Sequence, residues 1–178
     1  MTWLFLEKQV EKNRFSILLT YDSAQESYLT FGGIPNFVSS LDQAVSHRVA
    51  TNDHWTLKMM DLKVGRKSIN PVVNFALTDT GTSLIYLDQK DYKALIGAIC
   101  DRLDCYPTKY DANVYAIEDC KPDDLPTIWV QIDLHDYKLA PHAYIVALHH
   151  ENGSHECIIQ FRQNARDTGY MVLGVLFL

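Results

Sequence analysis

Ala76-Leu77-Thr78-Asp79-Thr80-Gly81-Thr82-Ser83 is the stretch on which the fold turns. The run that leads into it, Val72-Val73-Asn74-Phe75-Ala76-Leu77, is nearly continuous in apolar residues, the pattern of a strand covered on both faces. The chain then passes straight into a polar turn that sets one carboxylate among hydroxyls and a glycine. A carboxylate at the end of a buried strand needs hydrogen-bond partners, because burial without them is costly. Thr80 and Thr82 carry hydroxyls, and Gly81 lets backbone approach whatever binds. The same letters also describe a solvated turn, since Asp, Thr, Gly and Ser all favour turns.

Working upstream, residues 55–64 alternate in polarity but change phase. Trp55, Leu57 and Met59 share one face, whereas Met60, Leu62 and Val64 share the other. A slip of one residue moves every side chain across the sheet, so the segment holds a bulge near Met59-Met60 or is buried on both sides. Gly65 and Asn70-Pro71 mark the turn that follows. Earlier still, Phe15-Ser16-Ile17-Leu18-Leu19-Thr20-Tyr21 and Tyr28-Leu29-Thr30-Phe31 have the layout of a hairpin, closed by Gly32-Gly33-Ile34-Pro35-Asn36. Residues 37–54 are polar and aperiodic and read as an exposed loop.

Downstream, Tyr92, Leu95, Ile96, Ile99 and Leu103 fall at helical spacing, with Asp88 at the N-cap position and Asp91 three residues later. Short strands are expected at 127–132, 137–139, 143–148, 157–161 and 170–178. Many short strands and one or two short helices specify a mostly β, sandwich-like or barrel-like lobe.

Composition narrows the function classes. At 178 residues, 47% hydrophobic and 21% charged, the chain can bury a core of its own. Its net charge of −6, with Lys and Arg scattered, argues against nucleic acid as a partner. The apolar runs at 145–148 and 170–178 fall short of a bilayer span, so no membrane partner is expected. Cys100, Cys105, Cys120 and Cys157 allow three pairings or four separate buried thiols, and lack the C-x-x-C spacing of a zinc ribbon. His149, His150 and His155 lie close to Cys157, yet read as an ordinary polar loop, so no metal is expected. Asn152-Gly153-Ser154 is a glycosylation sequon on that loop. After Met1-Thr2-Trp3-Leu4-Phe5-Leu6 comes Glu7-Lys8 at once, which leaves no visible signal-peptide core.

Several segments, in order, resemble the pepsin-like aspartic proteases. Phe15-Ser16 with Phe31-Gly32-Gly33-Ile34 is similar to the run that opens their C-terminal lobe. His54-Trp55-Thr56-Leu57 resembles their Tyr-Trp segment, and 76–84 their second active-site loop. Leu125-Pro126-Thr127-Ile128, Pro141-His142-Ala143-Tyr144-Ile145 and Val172-Leu173-Gly174-Val175-Leu176-Phe177-Leu178 resemble three later strands. The resemblance implies an acid-protease fold over residues 1–178 as a single C-terminal lobe, without the N-terminal lobe and the closing strands. It implies aspartic endopeptidase chemistry on a peptide or protein substrate, no cofactor, and a secreted or lysosomal (vacuolar) setting.

Carried over by position, the resemblance makes Asp79 a catalytic aspartate. Thr80 would tie two active-site loops together, while Gly81, Thr82 and Ser83 would support the carboxylate and the substrate backbone. It pairs Cys120 with Cys157, which leaves Cys100 with Cys105. Val175 stands where these proteases carry an aspartate. The reading counts one Asp-Thr-Gly and so one catalytic carboxylate, whereas the chemistry needs two. The second would come from the missing lobe or from a second protomer, as in retroviral proteases. The alternative is an inactive pseudoprotease or peptide-binding remnant.

Overall fold

The computed structural model describes residues 2–20, 24–34, 44–52, 54–150 and 153–178. The chain divides into two compact units, Met1–Ser46 and His47–Leu178. In the first, a short helix α1 (Thr2–Leu6) precedes β1 (Phe15–Leu18) and β2 (Tyr28–Phe31), which pair antiparallel with Phe15 opposite Phe31. The expected hairpin is present, although residues 21–23 and 35–43 of the segments read around it lie outside the described residues. Gly32 ends it at φ 79°, where a Cβ would come within 2.9 Å of the Val10 Cβ, so only glycine fits.

The described residues of the second unit ahead of residue 56 are irregular, and all but His47 are exposed. Strand β3 (Thr56–Val64) follows, and its register against β9 (Ile128–Ile132) shifts between Met59 and Asp61. The phase change in the sequence is therefore a bulge. One extra residue lets Met59, Leu62 and Val64 all face the core while Met60 stays 48% exposed. After β4 (Lys67–Ser68) comes β5, which is only Phe75–Thr78. The expectation of a doubly covered strand is corrected here. Ala76 is buried, but Val72 and Phe75 are exposed, and Phe75 pairs with exposed Lys58 on an uncovered outer face.

β6 (Ile85–Leu87) leads into α2 (Gln89–Ile99), whose inner face buries Tyr92, Leu95, Ile96 and Ile99. Each such side chain contributes about 2 kcal/mol by leaving water. Asp88 holds the N-cap position without capping the helix through its side chain. Asp91 does not close a capping box either; its carboxylate accepts the N–H groups of Val72 (2.7 Å) and Val73 (3.0 Å) and anchors the entry to β5.

A single-turn 3-10 helix (Cys100–Arg102) connects α2 to β7 (Cys105–Pro107) and β8 (Tyr115–Glu118). Then come β9, β10 (His135–Leu139), the helical turn α3 (Pro141–Tyr144), β11 (Ile145–His149), β12 (His155–Ile159), β13 (Phe161–Gln163) and β14 (Met171–Leu173). The strand expected at 143–148 thus starts only after a helical turn. The one at 157–161 divides at Gln160, whose N–H goes to the Tyr144 carbonyl (2.8 Å) as the chain changes sheets. The strand expected over 170–178 stops at Leu173, and the N–H groups of Phe177 and Leu178 fold back onto the Gly174 carbonyl.

Among the described residues an eight-stranded sheet runs β10-β9-β3-β5-β14-β6-β13, with β4 beside β3, and a four-stranded sheet runs β11-β12-β8-β7. One hydrophobic core joins them, with Ile85, Leu95, Ile128, Tyr144, Ile159, Phe161 and Leu173 fully buried. The fold is mostly β with few short helices. Cys100 is bonded to Cys105, and Cys120 to Cys157 across Cα atoms 5.9 Å apart. The second bridge spans 37 residues. Loop-closure entropy for that span corresponds to about 4 kcal/mol. Selective reduction is expected to lower the unfolding free energy by about that much in urea titrations. A loss under about 1 kcal/mol would contradict the expectation.

Candidate active site

Three strands build the site. β14 enters between β5 and β6, parallel to the first (Leu173 opposite Thr78) and antiparallel to the second (Leu173 opposite Ile85). The 79–84 loop that joins β5 to β6 must therefore pass over the C-terminal end of β14. The Asp79 N–H donates to the Leu173 carbonyl at 3.0 Å. Behind the loop, Val175 N–H reaches the Thr82 carbonyl (2.8 Å) and Leu176 N–H the Ser83 carbonyl (3.1 Å).

Gly174 lies where these segments cross. A Cβ there would collide with the carbonyl oxygens of Thr82 and Leu84, so close approach dictates glycine. On the other side, the Trp55 carbonyl accepts both the N–H and the hydroxyl of Thr78, each at 3.0 Å. The residue before Asp79 is thereby pinned.

The Asp79 carboxylate is partly exposed. One oxygen accepts the Gly81 N–H at 2.9 Å and the other the Thr82 hydroxyl at 2.5 Å. The Thr82 hydroxyl, then the Gly81 N–H, hold its pKa below the ordinary carboxylate value against a smaller opposing effect of burial. Of the site residues read from sequence, Asp79, Gly81 and Thr82 come together. Thr80 and Ser83 are exposed, and Ser83 joins the cluster through its backbone carbonyl alone. Asn152 lies outside the described residues.

The count of one Asp-Thr-Gly needs correcting: the triplet recurs at Asp167-Thr168-Gly169. This second copy precedes β14, at the end opposite Asp79, and its chemistry is different. The Asp167 carboxylate accepts the Gln89 N–H at 3.0 Å, at the start of α2. In return, buried Asp88 accepts from the Asn164 amide, the Thr168 N–H and the Gly169 N–H (each 2.8 Å), and from the Thr168 hydroxyl at 3.2 Å. The two aspartates clamp helix and turn together reciprocally. The repeat was visible in the sequence; its structural role was not.

Burial alone would raise the Asp88 carboxyl, but these donors outweigh it and hold it below the ordinary value. A carboxylate depressed on folding adds stability above its unfolded pKa of about 3.9, and loses it as pH falls through the lower folded value. Asp88→Asn is therefore expected to cost about 2 kcal/mol at pH 7 and much less near pH 2. Urea unfolding at both pH values checks this; an equal loss at the two would contradict it.

A family model described as eukaryotic aspartyl protease matches residues 1–178. The chain is also 27% identical, over 177 residues, to pepsin A of Gallus gallus, an alignment that covers 95% of this chain and 43% of that protein. The chain spans less than half the length of this curated relative.

Proposed function

This chain belongs to the eukaryotic aspartyl protease family, and from that premise we propose that it is one lobe of an aspartic-type endopeptidase whose catalytic carboxylate is Asp79. The observation that carries the proposal is the hydrogen bonding of Asp79. It sits at the end of a core strand, in solvent reach, with Gly81 and Thr82 favouring its ionised form.

In aspartic proteolysis two facing carboxylates share one proton, because like charges that close do not both ionise readily. The ionised member takes a proton from water as the oxygen attacks the scissile carbonyl carbon. The protonated member donates to the carbonyl oxygen, and proton return to the amide nitrogen releases the amine. The donors around Asp79 suit it to the ionised role. Asp167 does not supply its partner, since it lies at the other end of β14 and holds Gln89. The partner carboxylate would come from an N-terminal lobe or from a second copy of this chain. The substrate is a peptide or protein, and the two disulfides fit a secreted or lysosomal compartment.

Val175 favours a second reading, in which the chain keeps the fold and binds peptide without cleaving it. The resemblance places an aspartate there, and valine offers that part of the site no polar side chain.

The test assays cleavage of a denatured protein at acid pH by this chain alone and by this chain paired with an amino-terminal lobe from the family. The chain alone is expected to be inactive, and the pair to cleave in an inhibitor-sensitive way. Cleavage by the chain alone that disappears in Asp79→Asn would establish a homodimer. No cleavage by the pair, with retained binding of a transition-state mimic, would favour the non-catalytic reading.

A further inference from the structure

His47 sits at the start of the second unit among described neighbours that are exposed, yet its side chain is only 9% exposed. Its Nδ1 lies 2.7 Å from a carboxylate oxygen of Asp133 and its Nε2 2.6 Å from the Tyr137 hydroxyl. A carboxylate only accepts, so Nδ1 donates to Asp133, and Nε2 and the Tyr137 hydroxyl share the second hydrogen bond. Burial, then the nearby Asp133 charge, raises the Tyr137 pKa and keeps that phenol un-ionised. Asp133 is fixed in turn, since its N–H donates to the Lys58 carbonyl of β3 at 3.0 Å. The His135 ring adds an edge contact to His47 at 5.6 Å.

The relay continues toward Asp79. The Tyr137 ring meets Phe177 edge-on, with centroids 6.1 Å apart. Phe177 belongs to the 174–178 turn, and that turn holds the site loop through the Val175 and Leu176 N–H groups. Thr82, whose carbonyl Val175 grips, is the residue whose hydroxyl holds Asp79.

We propose that His47 is a positioning residue for the loop that carries Asp79, acting through Tyr137, Phe177 and the 174–178 turn. Its catalytic meaning rests on the reading of Asp79 given above; the coupling itself does not, and is measured without any activity.

The experiment compares amide hydrogen exchange at Val175 and Leu176 in the 178-residue chain by NMR, with the four-stranded sheet as the internal control. Tyr137→Phe keeps the ring on Phe177 and removes the hydroxyl. His47→Asn keeps a donor toward Asp133 only, and His47→Gln keeps a group that reaches Tyr137. Tyr137→Phe and His47→Asn are expected to exchange roughly tenfold faster at Val175 and Leu176, with the control amides unchanged and His47→Gln close to the parent. Unchanged exchange at Val175 and Leu176 in Tyr137→Phe and His47→Asn would overturn the proposal, as would a parallel rise in the control amides. If the coupling is found while the paired-lobe assay shows no cleavage, only the catalytic reading fails.

Discussion

Asp79→Asn is expected to lower kcat by at least about a thousandfold in any active assembly that this chain completes, with KM changed little. Asparagine has nearly the same shape as aspartate and cannot take a proton from water. Its carbonyl oxygen still accepts from one of the two groups that hold Asp79. If its amide faces Thr82, the Thr82 hydroxyl can rotate to accept instead, so the loop keeps its place. The loss should therefore fall on the chemical step rather than on substrate binding. Steady-state kinetics on a denatured protein at acid pH separates the two parameters, and unfolding curves confirm that the variant is folded. Activity within tenfold of the parent would remove Asp79 from the mechanism.

Gly174→Ala is expected to destabilise the second unit by about 3 kcal/mol. The added methyl group meets two backbone oxygens, those of Thr82 and Leu84, and no flexible side-chain tip that could swing aside. Backbone retreat is blocked on both sides, because Leu173 is paired with Thr78 and Ile85 at once. Relief would require the 79–84 loop to lift, which breaks the Val175 and Leu176 hydrogen bonds and displaces Asp79. Stability and the Asp79 environment should thus fail together. Urea unfolding gives the first and NMR titration of the Asp79 carboxyl the second. A loss under about 1 kcal/mol, with the Asp79 titration unmoved, would show that the crossing is looser than the geometry indicates.

Much of this architecture was legible from short-range pattern. The phase slip at Met59-Met60 encoded the bulge, because a pleated strand presents alternate residues to one face and only an extra residue restores the core side. The spacing of Tyr92, Leu95, Ile96 and Ile99 encoded the buried face of α2. The polar turn after Ala76-Leu77 encoded a carboxylate with its own donors, since Gly81 and Thr82 lie two and three residues from Asp79. Each of these features is decided within a few residues.

What only the tertiary structure decided involves partners far apart in the chain. Asp79-Thr80-Gly81 and Asp167-Thr168-Gly169 are the same three letters, and they differ in role because β14 places them at its opposite ends. Asp88 looked like a helix cap, but residues 164–169 offer it four donors that a helix N-terminus does not match. Val72 and Phe75 looked like core, yet whether a strand's second face is covered depends on elements elsewhere in the assembly. His47 carried no local signal, because its partners Asp133 and Tyr137 are 86 and 90 residues away. The physical reason is common to all four. Hydrogen bonding and burial depend on which groups are close in space, and for residues this distant in sequence the sheet order sets that proximity.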